Sequence, residues 1–340
     1  MNDDIEHYIF DFEREVADLR DSLGDKLGKV LFLDVDVNES GTRFLHIIGP
    51  EELKTENRLS FVRSNIAATY RQEPRESSFQ QFMYNGRTLE ASYSFISFRH
   101  ECSSHTQFCD EYKSLQQLST LYHETAHSLI RQGPSTDEDH PFRESAADAY
   151  AMLMLLQRFG RDVVPVLLFR SWDRSHSAMN GQTKHMTTPV IDQIVADSAR
   201  CNFSKMTQDD IIALAVDYAE KWTPTPDMLA AVRSYANKND YFAAAATCLQ
   251  SADKFSFYIG AKFFQPFLAS EEFTLNGERL VFATEAEQRQ YAEAIKKGAT
   301  GMRLRDIFDE VARPRKAGPA INAAIRTVPQ GQRVFSLNFS

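Results

Sequence analysis

The chain is poor in cysteine. Cys102, Cys109, Cys201 and Cys248 are the four in 340 residues, with no Cys-x-x-Cys pair and no framework spacing. That excludes a disulfide-stapled scaffold and fits reduced thiols in a cytosol-like compartment. No apolar run approaches the roughly 18 residues of a membrane-spanning helix, which excludes a bilayer-embedded chain. Positive charge is in deficit: 38 Lys and Arg stand against 47 Asp and Glu, a net −9. Such a surface is a poor partner for nucleic acid. Neither Gly-x-Gly-x-x-Gly nor Gly-x-Ser-x-Gly occurs. Gly24-x-x-x-Gly28-Lys29 is one residue short of a phosphate-binding loop and lacks the following Ser or Thr. There is no internal repeat, low-complexity tract or long linker. The start, Met1-Asn-Asp-Asp-Ile-Glu, has no basic stretch followed by an apolar one, so a cytoplasmic location is the default expectation. The sequons at Asn38, Asn202 and Asn338 then carry no weight.

What is present is ordinary globular material, 43% apolar and 25% charged, enough for a sizeable core and two domains. Ile5, Tyr8, Ile9, Phe12, Val16, Leu19 and Leu23 mark one face of a helix over 3–24, ended by Gly24. Its other face is acidic. Val30–Val37 and Arg43–Ile48 read as strands about an Asn-Glu-Ser-Gly turn, and Glu56–Tyr70 as helix. Asn85-Gly86 predicts a hairpin between Phe79–Tyr84 and Leu89–Phe98.

From Asp110 the texture is helical. Asp110–Arg131 closes at Gly133 and Pro141–Phe159 at Gly160; Thr188-Pro189, Thr207-x-x-Asp210, Thr225-Pro226 and Thr284-x-x-Glu287 open further helices. A late hairpin is expected near 273–282 across Asn276-Gly277. The expected class is α+β: a small antiparallel sheet with helices, then a mostly helical carboxy-terminal part. The division falls at 1–135 and 136–340.

Leu121-Tyr-His123-Glu124-Thr-Ala-His127 is His-Glu-x-x-His. Residues four apart lie one turn above each other on a helix, so both imidazoles reach one metal ion, and Glu124, one step round, reaches a water held there. Apolar neighbours from Leu118 to Ile130 bury this helix, where unpartnered imidazoles are costly. A zinc ion supplies a partner. A catalytic zinc needs a third protein ligand and an open position. Glu144, seventeen residues past His127, opens the next helix and can point at the metal. Asp148, four residues on, shares its face and can hold the spare ring N–H of a ligand histidine. Asp137, Asp139 and His140 are rivals for the third place.

His-Glu-x-x-His followed by Glu-x-x-x-Asp resembles the gluzincin metallopeptidases, the thermolysin-like clan. Glu144-Ser-Ala-Ala-Asp148-Ala-Tyr-Ala151 is also similar to the short gluzincin domains that cleave bacterial and phage regulators. The resemblance covers only Leu121 to Ala151 and implies a zincin-like core of small antiparallel sheet plus active-site helices, a peptide or protein substrate and one Zn²⁺. It implies a second catalytic group besides Glu124, a histidine that stabilises the oxyanion. Asn180-Gly-Gln-Thr-Lys-His185-Met-Thr-Thr-Pro189 resembles the segment carrying it, with His176 as alternative; Asn180 stands where the family has an orienting Asp, and Asp173 is a substitute.

Leu89–Phe98 is in position to be the exposed edge strand on which zincins lay substrate, or else an interior strand. His100, Cys102, His105 and Cys109 form a second soft cluster of unmatched spacing. Nine Lys or Arg against three acidic residues between Lys296 and Arg333 read as a solvated face. Phe255–Phe267 reads as core. The expected activity is zinc-dependent peptide-bond hydrolysis. A zinc-stabilised binding protein without catalysis and a zinc hydrolase of a non-peptide amide are the alternatives.

Overall fold

The computed structural model describes residues 5, 7–27, 30–38, 41–48, 79–82, 93–99, 112–130, 140–269, 275 and 284–308. Strands β1 (Val30–Asn38), β2 (Gly41–Ile48), β3 (Phe79–Phe82) and β4 (Tyr93–Arg99) form a sheet of order β2-β1-β4-β3. β1 and β2 pair antiparallel up to Asn38 opposite Gly41, with a register shift between Asp34 and Val35. β1 and β4 run parallel, so the sheet is mixed where a purely antiparallel one was expected. β4 is paired on both flanks, which makes it an interior strand and removes it as a docking edge. β3 pairs β4 with Phe82 opposite Tyr93, a register centred beyond Asn85-Gly86, and that dipeptide lies outside the described residues. So do the helix expected at Glu56–Tyr70 and, apart from Leu275, the late hairpin.

The rest is helix. Helix α1 (Phe12–Leu23) begins later than the apolar periodicity suggests, because the Asp11 side chain accepts the Arg14 backbone N–H and caps it. Gly24, at φ +51°, ends it. Then follow α2 (Lys113–Leu129), α3 (His140–Phe159), α4 (Val164–Met179), α5 (Thr188–Ser198), α6 (Gln208–Trp222), α7 (Pro226–Tyr235), α8 (Tyr241–Leu249), α9 (Lys254–Ala269), α10 (Glu285–Lys296) and α11 (Leu304–Phe308). Local chemistry sets several starts: Thr207 and Asp210 form a reciprocal capping box, and Thr225 and Thr284 accept the N–H groups of Met228 and Glu287. α5 starts one residue from its expected position, with Thr187 as N-cap and Thr188 already helical.

The α+β class is therefore corrected. The body from Lys113 to Phe308, which holds the candidate site and most of the described core, is all-α, helix on helix, with a single isolated bridge at Leu275 among its described residues. No zincin-type sheet core lies among its described residues. The reason is the length of the buried apolar runs. α3 buries every residue from Glu144 to Leu156, so it is enclosed by helices on all sides. α1, α2, α3 and faces of α5 and α6 share one hydrophobic cluster, to which Phe32 of β1 also belongs. The second gathers Trp172 and Met179 of α4 with α7 to α11, including Phe255, Phe263, Phe264 and Phe267 of the aromatic run. There α8 and α9 cross backbone to backbone: a Cβ on Gly260 would lie 2.6 Å from the Leu249 nitrogen and 2.7 Å from the Ala245 oxygen. No helix among the described residues is long and apolar enough to cross a membrane.

Candidate metal centre

The α2–α3 contact buries charge. His123, Glu124, Glu144 and Asp148 are all under 9% exposed, on helices that also bury Leu118, Leu121, Ala147 and Tyr150. Isolated carboxylates and imidazoles in such surroundings cost several kcal/mol each, about 2–7 for a neutral polar group and more for a charge. Their arrangement shows how that cost is met.

His123 Nε2 and His127 Nε2 stand 3.2 Å apart, one turn of α2 bringing both rings to the same face. Glu144, from the amino-terminal part of α3, places Oε2 3.4 Å from His123 Nε2 and Oε1 3.5 Å from His127 Nε2. One ligand atom from each of His123, His127 and Glu144 falls within 4.8 Å of the others. A tetrahedral ion with ligand bonds of about 2.0–2.1 Å has ligand–ligand edges of about 3.3–3.4 Å. The 3.2 Å between the two imidazole nitrogens is close to that edge, the carboxylate meets each ring with a different oxygen, and two imidazoles with one carboxylate suit zinc. His140 Nδ1, the rival from the same helix, lies 3.9 Å from Glu144 Oε1. Asp137 and Asp139 lie outside the described residues, as do His100, Cys102, His105 and Cys109.

Asp148, fully buried, sits behind His123. Its Oδ1 is 2.7 Å from His123 Nδ1. A carboxylate only accepts, so Nδ1 carries a hydrogen, and Nε2 faces the other two groups, where it offers a lone pair once the ring is neutral. Sequence reasoning placed Asp148 here but missed what holds it. Arg174 of α4 donates from Nε to Oδ2 at 2.7 Å and from Nη2 to Oδ1 at 3.0 Å; Arg170, one turn earlier, reaches Oδ1 at 3.3 Å; and the Thr187 hydroxyl donates to Oδ2 at 2.5 Å. The available signal was a pair of arginines four apart on a helix that also carries Leu167, Trp172 and Ala178.

Charges follow these contacts. Burial would lower His123, but Asp148 and Glu144 outweigh it and hold it at about 9. Burial and the neighbouring His123 push His127 down to about 4, leaving that ring neutral. Burial opposes ionisation of both carboxylates. Even so, His123 and His185 hold Glu144, and Arg174, Arg170 and His123 hold Asp148, well below the usual range.

Glu124 is buried on α2 between the two histidines. His185 stands in the turn before α5, its Nδ1 2.8 Å from Glu144 Oε2. His176 lies elsewhere: it stacks on Trp172 at 5.6 Å between centroids, meets Tyr241 edge-on, and has the Asn180 amide 3.2 Å from Nε2. Asp173 pairs with Arg170 at 3.7 Å.

No protein-family model, curated protein or solved structure matches the chain.

Proposed function

We propose that the chain is a zinc-dependent peptidase that uses His123, His127 and Glu144 as metal ligands and Glu124 as general base. The observation that supports this most is the convergence of His123, His127 and Glu144, one ligand atom of each within 4.8 Å of the others, with Asp148 hydrogen-bonded to the far side of the His123 ring. Bound there, zinc would supply the Lewis acidity that brings the pKa of a water towards about 7 and polarises a carbonyl. The chain's own groups do the remaining work. Glu124 shares the helix turn of the two histidines without belonging to the ligand trio, so its carboxylate accepts the water's proton and returns it to the leaving amine. Asp148 keeps the His123 lone pair directed, and the arginines behind it keep Asp148 ionised. The likeness to gluzincin peptidases is one of motif, carried by His-Glu-x-x-His and Glu-x-x-x-Asp, and does not extend to their sheet-based core.

The test is cleavage of a broad peptide library by the zinc-loaded chain and by Glu124→Gln, with zinc content measured on both. The expected result is cleavage by the parent and equal zinc but no turnover in the variant. Equal cleavage by Glu124→Gln overturns the mechanism. Bound zinc with no peptide or amide cleaved by either form makes the chain a zinc-stabilised binding protein.

A further inference from the structure

The geometry points to His185 as a positioning residue for the ligand carboxylate Glu144, acting through its Nδ1–H and not on the substrate; the inference rests on the metal-site assignment above.

Three observations carry it. First, the imidazole is committed. Its Nδ1 is 2.8 Å from Glu144 Oε2, an atom that only accepts, so the ring donates there. Second, the contact is enclosed. His185 and Glu144 are each under 9% exposed, whereas the neighbouring His140 side chain is 30% exposed and stands edge-on to His185 at 5.6 Å. His185 at 2.8 Å and the Arg174 guanidinium at 3.9 Å reach Glu144 on Oε2, which also lies 3.4 Å from His123 Nε2, while Oε1 has His127 Nε2 at 3.5 Å and His140 Nδ1 at 3.9 Å; the His185 contact is the shortest of these. The shortest contact thus anchors Oε2 beside His123 and leaves Oε1 turned to His127, which sets the plane of the carboxylate.

Third, the anchor is itself built. The turn Thr183–His185 leads into Thr187, the N-cap of α5, and supplies one side chain to each carboxylate of Glu-x-x-x-Asp: His185 to Glu144 and Thr187 to Asp148. Arg233 of α7 fastens the turn by donating from Nε and Nη2 to the Thr183 hydroxyl at 3.0 and 2.7 Å. Backbone bonds from His185 N to Gln182 O and from Thr187 N to His185 O fix the ring's direction. The segment is thus a clamp that presets both acidic residues of α3.

Zinc affinity of the full chain by chelator competition, and the visible spectrum of the cobalt-loaded form, test this without any substrate. Asn places an amide N–H near the position of Nδ1, and Gln places it near that of Nε2. Removing a group that orients a ligand costs about 10–100-fold in metal affinity. His185→Ala and His185→Gln are expected to lose that factor and shift the cobalt bands, while His185→Asn stays close to the parent. The Asn/Gln comparison stands by itself if His185→Ala does not fold. Parent-like zinc affinity and an unchanged cobalt spectrum in both His185→Ala and His185→Gln overturn the positioning role. Failure of the parent itself to bind zinc overturns the metal site and this role with it.

Discussion

Replacing Asp148 by Asn is the sharpest probe of how the buried charges are held. The substitution keeps volume and one acceptor oxygen but removes the negative charge shared by Arg174, Arg170 and His123, and it turns an NH₂ group towards donors. Arg174 is 8% exposed and has its two shortest bonds to Asp148, so it is left charged without its main partner. Breaking a buried pair by removing one member costs about 3–5 kcal/mol. Arg170 adds less, being more exposed and at 3.3 Å. With a urea slope of about 3 kcal/mol per molar, the unfolding midpoint falls by about 1–1.7 M. The assay is urea denaturation of metal-stripped protein followed by far-ultraviolet circular dichroism, with Arg170→Gln as the milder control. Because the folded pKa of Asp148 is depressed, its contribution is complete above the ordinary value of 3.8 and is lost as pH falls through the folded value. The gap between parent and variant therefore closes in acid. A variant midpoint equal to the parent's at neutral pH refutes the account of Asp148 as the site's buried anchor.

Glu15, buried on α1, accepts from the Tyr8 hydroxyl and from Arg158 of α3. Glu15→Ala should cost about 2 kcal/mol and speed hydrogen exchange in α1; unchanged exchange there contradicts the docking. Gly260→Ala should destabilise by about 1–3 kcal/mol or more, because its Cβ meets backbone atoms of α8; a parent-like melting temperature means that crossing is looser than described. Cys248 is fully buried and pushed up to about 12, so its thiolate appears only as pH climbs towards that value. Peptide mapping after maleimide treatment of native protein near neutral pH should find Cys248 unmodified and Cys201 the more reactive of the two; early labelling of Cys248 contradicts the packing of α8 on α9.

The parts of this structure legible in the sequence are those decided within one or two helical turns. The spacing of His123 and His127 fixes their shared face, that of Glu144 and Asp148 fixes theirs, and Thr207, Thr225 and Thr284 cap helices through bonds three residues away. What was not legible depends on distant partners. Asp148 meets Arg174 and Thr187 across 26 and 39 residues, and no local pattern reports that meeting. β4 became an interior strand because β1, far earlier in the chain, runs parallel to it. The class was misjudged for a related reason. Strand signals near the amino terminus are real, but the core that positions the site is closed by α3, α5 and α6, whose packing no single segment records. The direction of His185 was not legible either: a loop histidine before a helix can face substrate or a ligand carboxylate, and the path of Thr183–Thr187 brings its Nδ1 to 2.8 Å from Glu144 Oε2. At the start of α1, apolar periodicity and a capping aspartate competed, and Asp11 prevailed.

X-ray absorption at the zinc edge, on the full chain loaded with zinc and with stoichiometry measured on the same sample, addresses the central claim directly. The expected shell is one ion per chain bound by two imidazole nitrogens and by oxygen, with distances of about 2.0–2.2 Å and no sulfur. Zinc that washes out of the parent, or a shell containing sulfur, would contradict the assignment of His123, His127 and Glu144.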